Sequence, residues 1–341
     1  VATYTDESGL IQEAAANTVR VDHSLGYPAM LIEPSATNTV PYSEEVSNPA
    51  WANNDVSFTD GQISPAGDNT ATKLTATGAD PYLWAFPNVT AATHTFSFYC
   101  KGDTGRTARV LIWYIGTATG TTESVDFTYT DEWQRFEFQT TPTGGGTLAF
   151  RIDIPQDTAE VGDVVYIWGA QAEAGSVATS YIPTSGSAVT RAADDLSITG
   201  SAFSDFYNTS EGTVYVEAVP QDGINESPYY FEFSNGTTAN RHHSYRSGAI
   251  STFYTCGIGG TTIFNTSIGS VTLDSLNRIS YSYKSNDYLG SSNGATPVPE
   301  TGAVPTGISQ LLIGNSTAPS PRLMTGRIKR LIYWPTHSDS L

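Results

Sequence analysis

Short runs of alternating apolar and polar residues, each closed by Gly, Thr, Asn or Pro, recur along most of the chain. Period-two alternation puts successive side chains on opposite faces of a strand, so these runs predict β-structure. The plainest is the last: Ile328, Arg330, Ile332 and Trp334 face one way, and Arg327, Lys329, Leu331 and Tyr333 the other. Between residues 37 and 183 the pattern predicts strands at Thr70 to Ala76, Tyr82 to Phe86, Thr93 to Lys101, Ala108 to Ile115, Glu123 to Thr128, Gln134 to Thr140, Thr147 to Ile154 and Val164 to Gly169. In the last of these Val164, Tyr166 and Trp168 share one face and Val165, Ile167 and Gly169 the other. About eight strands, separated by Gly- and Thr-rich turns, predict a β-sandwich of jelly-roll type.

A Gly/Ser/Thr/Pro-rich linker, residues 184–195, leads to a second strand-rich block at 196–341. Strands are predicted there at Ser197 to Thr199, Gly212 to Val219, Tyr229 to Ser234, His242 to Arg246, Ala249 to Thr255, Thr262 to Asn265, Asn277 to Lys284, Gln310 to Ile313 and Gly326 to Trp334, with a hairpin at Asn293-Gly294. This block is again a sandwich, and no internal repeat relates it to the first. Residues 1–36 read as an N-terminal arm with short strands at Thr3 to Thr5 and Leu10 to Gln12 and an apolar run at Ala29 to Ile32. An arm this short buries too little to fold alone, so it packs on a domain or a neighbouring subunit. The fold class is therefore all-β, two tandem β-sandwiches behind an extended arm. The start at Val1 and the abrupt end at Leu341 lead us to expect neighbouring sequence or a larger assembly.

Composition agrees with an all-β chain. Apolar residues are 39% and charged residues 15% of the 341, the latter against about 25% in typical globular chains. Thr, Ser, Asn and Gly fill the difference, and they favour strands and turns over helices. The formal net charge of −18 opposes phosphate-binding and anionic-membrane partners and suits neutral, polyhydroxyl ligands. No apolar run approaches the roughly 20 residues of a membrane span. The two cysteines, Cys100 and Cys256, form no disulfide framework. Six Asn-x-Ser/Thr triplets, at Asn88, Asn208, Asn225, Asn235, Asn265 and Asn315, are what chance gives in so Ser/Thr-rich a chain.

Three groups of residues carry a family resemblance. Trp168-Gly169-Ala170-Gln171-Ala172-Glu173-Ala174-Gly175 leads through Ala178-Thr179-Ser180-Tyr181-Ile182-Pro183-Thr184 to Thr190-Arg191-Ala192-Ala193-Asp194. The arm contributes Ala2-Thr3-Tyr4-Thr5-Asp6, Gly9-Leu10-Ile11-Gln12, Arg20-Val21-Asp22-His23 and Leu31-Ile32-Glu33-Pro34, and the first domain opens on Asn38, Tyr42-Ser43-Glu44 and Trp51. Together they resemble tail-fibre and minor structural proteins of tailed bacteriophages, although Thr39-Val40 replaces the usual Leu-Leu. The first domain is similar to carbohydrate-binding-module jelly rolls. The second resembles laminin-G and concanavalin-A-like lectin sandwiches through Leu276 to Tyr281, Asn293-Gly294 and Gly326 to Leu331. The resemblance implies a virion surface protein that binds bacterial surface polysaccharide, sits among other virion proteins and self-associates, a trimer being the family expectation. It also leaves room for a purely structural fibre or decoration subunit.

Sugar binding needs an aromatic ring to stack on a pyranose face, with polar groups beside it for the hydroxyls. In the first domain Tyr82, Trp84 and Phe86 alternate onto one face, and Trp113 and Tyr114 lie on another strand. One face of a sandwich is core, and we assign Trp84 and Trp113 to it, with a groove-lining role as the alternative. Trp51 reads as a plug at the start of the domain. In the second domain Tyr229, Tyr230, Arg241, His242, His243 and Tyr245 are candidates for a sugar-contacting face, against the plainer reading of a solvated strand. His242 and His243 are adjacent and point to opposite faces, which disfavours a shared metal. The resembled sandwiches often carry a structural calcium near the domain ends, and Glu44, Glu45 and Asp163 are its candidate ligands here; no other cofactor is required. Catalysis is not expected: there is no Gly-x-Ser-x-Gly elbow and no phosphate loop, and spacing does not single out a carboxylate pair such as Asp153 and Asp163. A glycan depolymerase is the third reading. Tyr181 and Ile182 are expected to clip the linker to a domain face and so to fix how the two sandwiches sit.

Overall fold

A computed structural model of the protein describes residues 1–154, 159–222, 227–248, 250–318 and 322–341. Asn225, and Ala249 at the start of one predicted strand, lie outside the described residues. The chain forms two compact units, Val1–Ala16 with Ser35–Ala192, and Asn17–Pro34 with Ala193–Leu341. Both are built of antiparallel sheets. No helix among the described residues is long and apolar enough to cross a membrane.

In the first unit one sheet runs Glu123–Thr128, Thr107–Ile115, Gly146–Asp153, Tyr82–Ala85, Ala52–Asn54, with Asn88–Val89 also paired to Gly146–Asp153. The other runs Gln134–Thr140, His94–Gly102, Val164–Ala174, Ala71–Ala76, Val56–Gln62. Their inner faces share one core. Leu83, Val110, Ile112, Leu148, Phe150 and Ile152 from the first sheet meet Leu74, Phe96, Phe98, Cys100, Val165 and Ile167 from the second. Phe96 and Phe150 stack across it with centroids 5.0 Å apart. Trp51 is the expected plug: it is buried in this core, and its indole N–H donates to the Tyr42 carbonyl at 2.9 Å. Val56–Gln62 is a strand the alternation does not reveal, because it is a mostly exposed edge rich in polar residues.

The second unit pairs a six-stranded sheet, Leu196–Thr199, Gln310–Ile313, Tyr229–Ser234, Arg241–Ser247, Ser251–Ile258, Thr261–Ser270, with a seven-stranded one. The latter runs Val298–Glu300, Asp287–Ser292, Asn277–Lys284, Glu211–Pro220, Gly326–Trp334, Ala29–Ile32, Val21–Asp22. Phe231 and Tyr254 of the first sheet meet Tyr281 of the second, at 6.0 and 5.5 Å. Asn293 and Gly294 both adopt positive φ in the turn that leads Asp287–Ser292 back to Val298–Glu300, as the hairpin signal predicts. Both cysteines are buried free thiols.

The N-terminal segment is divided between the units. Thr3–Thr5 and Ile11–Glu13 form a hairpin in the first. Ala29–Ile32 and Val21–Asp22 add two strands to the seven-stranded sheet of the second. Ion pairs anchor the latter: buried Arg20 pairs with Glu33 at 2.8 Å and with Asp194, and Asp22 accepts from Arg327 at 2.6 Å. Burial of this kind is tolerable only with every charge partnered.

The residues from Trp168 onward explain themselves structurally. Opposite Ser97 and Tyr99 the strand Val164–Ala174 bulges, and Gly169 takes φ +64° there. Glycine is the residue that accepts this conformation without strain. The bulge shifts the alternation: Val165 and Ile167 point inward, and beyond it Ala170 and Ala172 do. Trp168 therefore lies on the outer face, where Tyr181 covers it at 4.4 Å between ring centroids. Buried Asn38 ties the covering segment down. Its amide donates to the Ala170 and Ile182 carbonyls, and its oxygen accepts from the Val40 and Ala172 N–H groups. Gln171 accepts from the Ile182 N–H at 2.7 Å, and Glu173 accepts from the Thr179 N–H and hydroxyl, both at 2.7 Å.

Candidate functional site

The two sheets of the first unit differ in what lies on their outer faces. The outer face around Trp168 is roofed by Tyr181, whose hydroxyl bonds Ser43 and donates to Glu44 at 2.9 Å. The outer face of the opposite sheet carries an open groove of about 440 Å³, lined by Asn53, Tyr82, Trp84, Phe86, Trp113 and Tyr114 with Ala52, Ile115 and Ala149.

Strand register builds this groove. Trp84 pairs across with Arg151 on one side and Ala52 on the other, and Trp113 pairs with Ala149. The small side chains Ala52 and Ala149 leave room above the sheet. The large rings of neighbouring strands lean into that room, and the indoles of Trp84 and Trp113 lie 5.3 Å apart with planes 8° from parallel. Phe86 continues the series at 6.3 Å and 3° from Trp84, while Tyr82 meets Trp84 edge-on at 5.9 Å. Trp113 is 46% exposed, Phe86 42% and Ile115 42%. Phe86, Trp113 and Ile115 thus bring exposed apolar surface to one groove.

Polar groups border the rings. The Arg151 guanidinium sits 3.8 Å from the Tyr82 ring centroid and 5.5 Å from that of Trp84. It pairs with Asp80 at 2.8 Å and with Asp153. Burial raises the Asp153 carboxyl above its ordinary range, against the pull of Arg151.

Placement in the core, our first reading for Trp84 and Trp113, is corrected by this geometry. The inward positions on their strands are taken by Leu83 and Ala85, and by Val110 and Ile112, which leaves both indoles on the outer face. Alternation alone gives two faces and no label for the inner one. Tyr114, on the other phase of its strand, packs against the core edge, hydrogen-bonds Thr140 and reaches the groove with part of its ring.

The second-unit candidates divide between two faces. Tyr230 and His242 lie in the core, where His242 stacks on Phe233 at 5.0 Å and its Nε2 meets the Tyr207 hydroxyl at 3.0 Å. Burial holds the His242 imidazole neutral, its pKa lowered to about 3. Neither offers surface to a glycan, which corrects their place among the candidates. On the outer face Tyr229 stacks on His243 at 4.3 Å, Tyr245 follows at 5.7 Å from His243, and Arg241 pairs with Glu232 at 2.9 Å. This cluster is also covered: Tyr229 and His243 are 5% and 2% exposed, and Thr317 donates to Glu232 through its N–H and its hydroxyl. Burial, with Arg241 next, holds the His243 pKa well below its ordinary value. Tyr245 and Arg241 remain partly exposed at its margin.

Two of the three calcium candidates, Glu44, Glu45 and Asp163, have other partners. Asp163 pairs with Arg106 at 2.7 Å, and Glu44 accepts from Tyr181. Asp153 and Asp163 are held in separate ion pairs. Ala52, Asn53 and Phe86 are groove residues that sequence reasoning did not nominate, although Phe86 shares the predicted face of Tyr82 and Trp84.

No family model and no curated protein matches the sequence. Solved structures do match. The carbohydrate-binding module CBM40 of the Ruminococcus gnavus IT-sialidase, bound to α2,3-sialyllactose, is 13% identical over 43% of this chain and 92% of its own, with a TM-score of 0.36. A CBM4 module is 17% identical over 42% of this chain and 96% of its own, with a TM-score of 0.28. The SAP-like pentraxin of Limulus polyphemus is 12% identical over 38% and 66%, with a TM-score of 0.31. Carbohydrate-binding modules and a lectin-type sandwich are thus among the chain's structural neighbours. At these TM-scores the likeness carries nothing about ligands, and the groove is interpreted from its own geometry.

Proposed function

We propose that this protein is a non-catalytic glycan-binding module that holds polysaccharide in the aromatic groove of its first sandwich. The observation that carries this is the open pair of parallel indoles, Trp84 and Trp113, beside the polar groups Asn53, Asp80, Arg151 and Asp153. Flat apolar rings accept the C–H faces of pyranoses, and flanking hydrogen-bonding groups take their hydroxyls. Arg151 is neutralised by two carboxylates, and the chain is acidic overall, so uncharged sugars suit the groove better than acidic ones. The biological setting we propose is the surface of a tailed-phage virion. There the protein acts as an adhesin for host polysaccharide, as a self-associating subunit beside other virion proteins. Support for that setting is the sequence resemblance alone.

The exposure of Phe86, Trp113 and Ile115 also favours a second reading, a structural fibre or decoration subunit whose rings bury against a neighbour. Titration of the protein with neutral bacterial polysaccharides, followed by tryptophan fluorescence, separates the two. Saturable binding that perturbs the indole emission is expected. If no polysaccharide binds and sedimentation shows self-association that is lost in Trp113→Ala, the structural reading replaces the adhesin.

A further inference from the structure

Away from the groove, the second unit holds a histidine between two carboxylates. Hydrogen bonds fasten the segment after Gly326–Trp334 back to its unit: Asn208 donates to the Pro335 carbonyl at 2.8 Å, Thr213 to the Thr336 carbonyl at 2.8 Å, and the Ser338 N–H to the Ser282 hydroxyl at 2.9 Å. They press His337 inward until its side chain is only 4% exposed. Asp287 begins the strand Asp287–Ser292 directly after a tight turn in which Asn286 takes φ +58°. Ligand atoms of Asp287, His337 and Asp339 all lie within 4.8 Å of one another.

Hydrogen bonding leaves this cluster incomplete. His337 Nδ1 lies 3.2 Å from Asp339, within reach of an N–H donated to the carboxylate. A neutral imidazole with its proton on Nδ1, facing this carboxylate, keeps its lone pair on Nε2. Nε2 is buried without a hydrogen-bond partner and is aimed at Asp287 Oδ1, 3.5 Å away. Two lone-pair atoms facing each other repel. The gap between them is also roughly the 3.3–3.6 Å that separates neighbouring ligands around a tetrahedral ion with bonds of about 2.0–2.2 Å. Asp287 is 46% exposed, so water can reach the remaining coordination positions.

We infer that His337 Nε2 and Asp287 bind a divalent ion of borderline softness such as Zn²⁺, with Asp339 orienting the imidazole from its other nitrogen. Carboxylate–histidine–metal alignment of this kind raises the basicity of the ligating nitrogen. An imidazole ligand favours zinc over calcium, which takes oxygen ligands.

Untagged protein comprising residues 1–341, titrated with Zn²⁺ alone in competition with a chromophoric chelator, tests this. One equivalent is expected to bind, and excess Ca²⁺ is expected not to displace it. His337→Gln and Asp287→Asn should each weaken binding by at least about tenfold, and Asp339→Ala by about 10–100-fold. In the wild-type protein, which avoids any question of variant folding, Co²⁺ should give the intense visible bands of a four-coordinate ion. Absence of one-to-one zinc binding, wild-type affinity in His337→Gln, or only the weak bands of six-coordinate cobalt would each overturn the site.

Discussion

The indoles of Trp84 and Trp113 come from non-adjacent strands and lie parallel over the strand between them, 5.3 Å apart. Trp113 is 46% exposed and Trp84 half-buried, and together they form an open apolar platform on the outer face of their sheet. Trp113→Ala should therefore reduce affinity for a neutral polysaccharide tenfold or more, a loss of about 1.4 kcal/mol. Its melting temperature should hardly move, because the side chain is 46% exposed. Trp168→Ala is the contrast. That indole is buried beneath Tyr181 and bonds Thr70, so its loss should cost about 3–5 kcal/mol of stability. Isothermal titration and chemical denaturation on both variants give the comparison, and equal effects on binding would remove the groove from the argument.

Asn38 makes four buried hydrogen bonds, and three of them join its segment to the strand Val164–Ala174 and to the segment at Ile182. Asn38→Ala strands two N–H groups and two carbonyls in a dry interior. We expect a loss of about 3 kcal/mol in urea denaturation. A loss below about 1 kcal/mol would mean that water replaces the amide.

Glu173 is fully buried among Gln171 and Thr179, and burial raises its pKa despite their hydrogen bonds. A carboxyl whose folded pKa is raised binds its proton more tightly in the folded state. It therefore lowers stability as pH rises from the ordinary carboxylate range through the raised value. Glu173→Gln, which keeps the shape and removes the titration, should flatten the stability of the first unit across that window. Melting curves collected from pH 4 to pH 8 on both proteins would show it; parallel curves would refute it.

His242 works in the opposite sense. Its pKa falls from the ordinary 6.5 to about 3 in the folded core. Stability is complete above pH 6.5 and is lost as pH falls toward 3, because the unfolded chain takes up a proton that the core refuses. His242→Phe keeps the stack on Phe233 and should lessen the acid sensitivity of the second unit. Denaturant midpoints at pH 7, 5.5 and 4.5 measure the difference, and an unaltered pH slope would place the acid transition elsewhere.

Much of the architecture follows from period-two alternation. Gly326–Trp334 spans the predicted residues, and Asn293-Gly294 makes its turn because both residues accept positive φ. Val56–Gln62 escaped that logic: only Val56 and Phe58 reach the core from this edge strand, and the rest of it is polar and mostly exposed. The residues that carry the resemblance, from Arg20 and Glu33 to Asn38, Gln171 and Glu173, are buried fasteners. Their chemistry shows only once their partners are known, some of them close in the chain, as Thr179 is to Glu173, and others distant, as Ala170 is from Asn38.

Alternation told us that Tyr82, Trp84 and Phe86 share a face; it did not tell us which face. That was decided by competition in three dimensions. Leu83 with Ala85, and Val110 with Ile112, fill the inner positions at the density a core demands, so the indoles go outward. The same competition enclosed His242 and Tyr230, and roofed Trp168 with Tyr181 while leaving Trp113 bare. The sequence by itself determined strands, composition and charge, because those depend on neighbours in the chain. Only the tertiary structure decided which aromatic rings meet solvent, because that depends on which distant segment arrives to cover them.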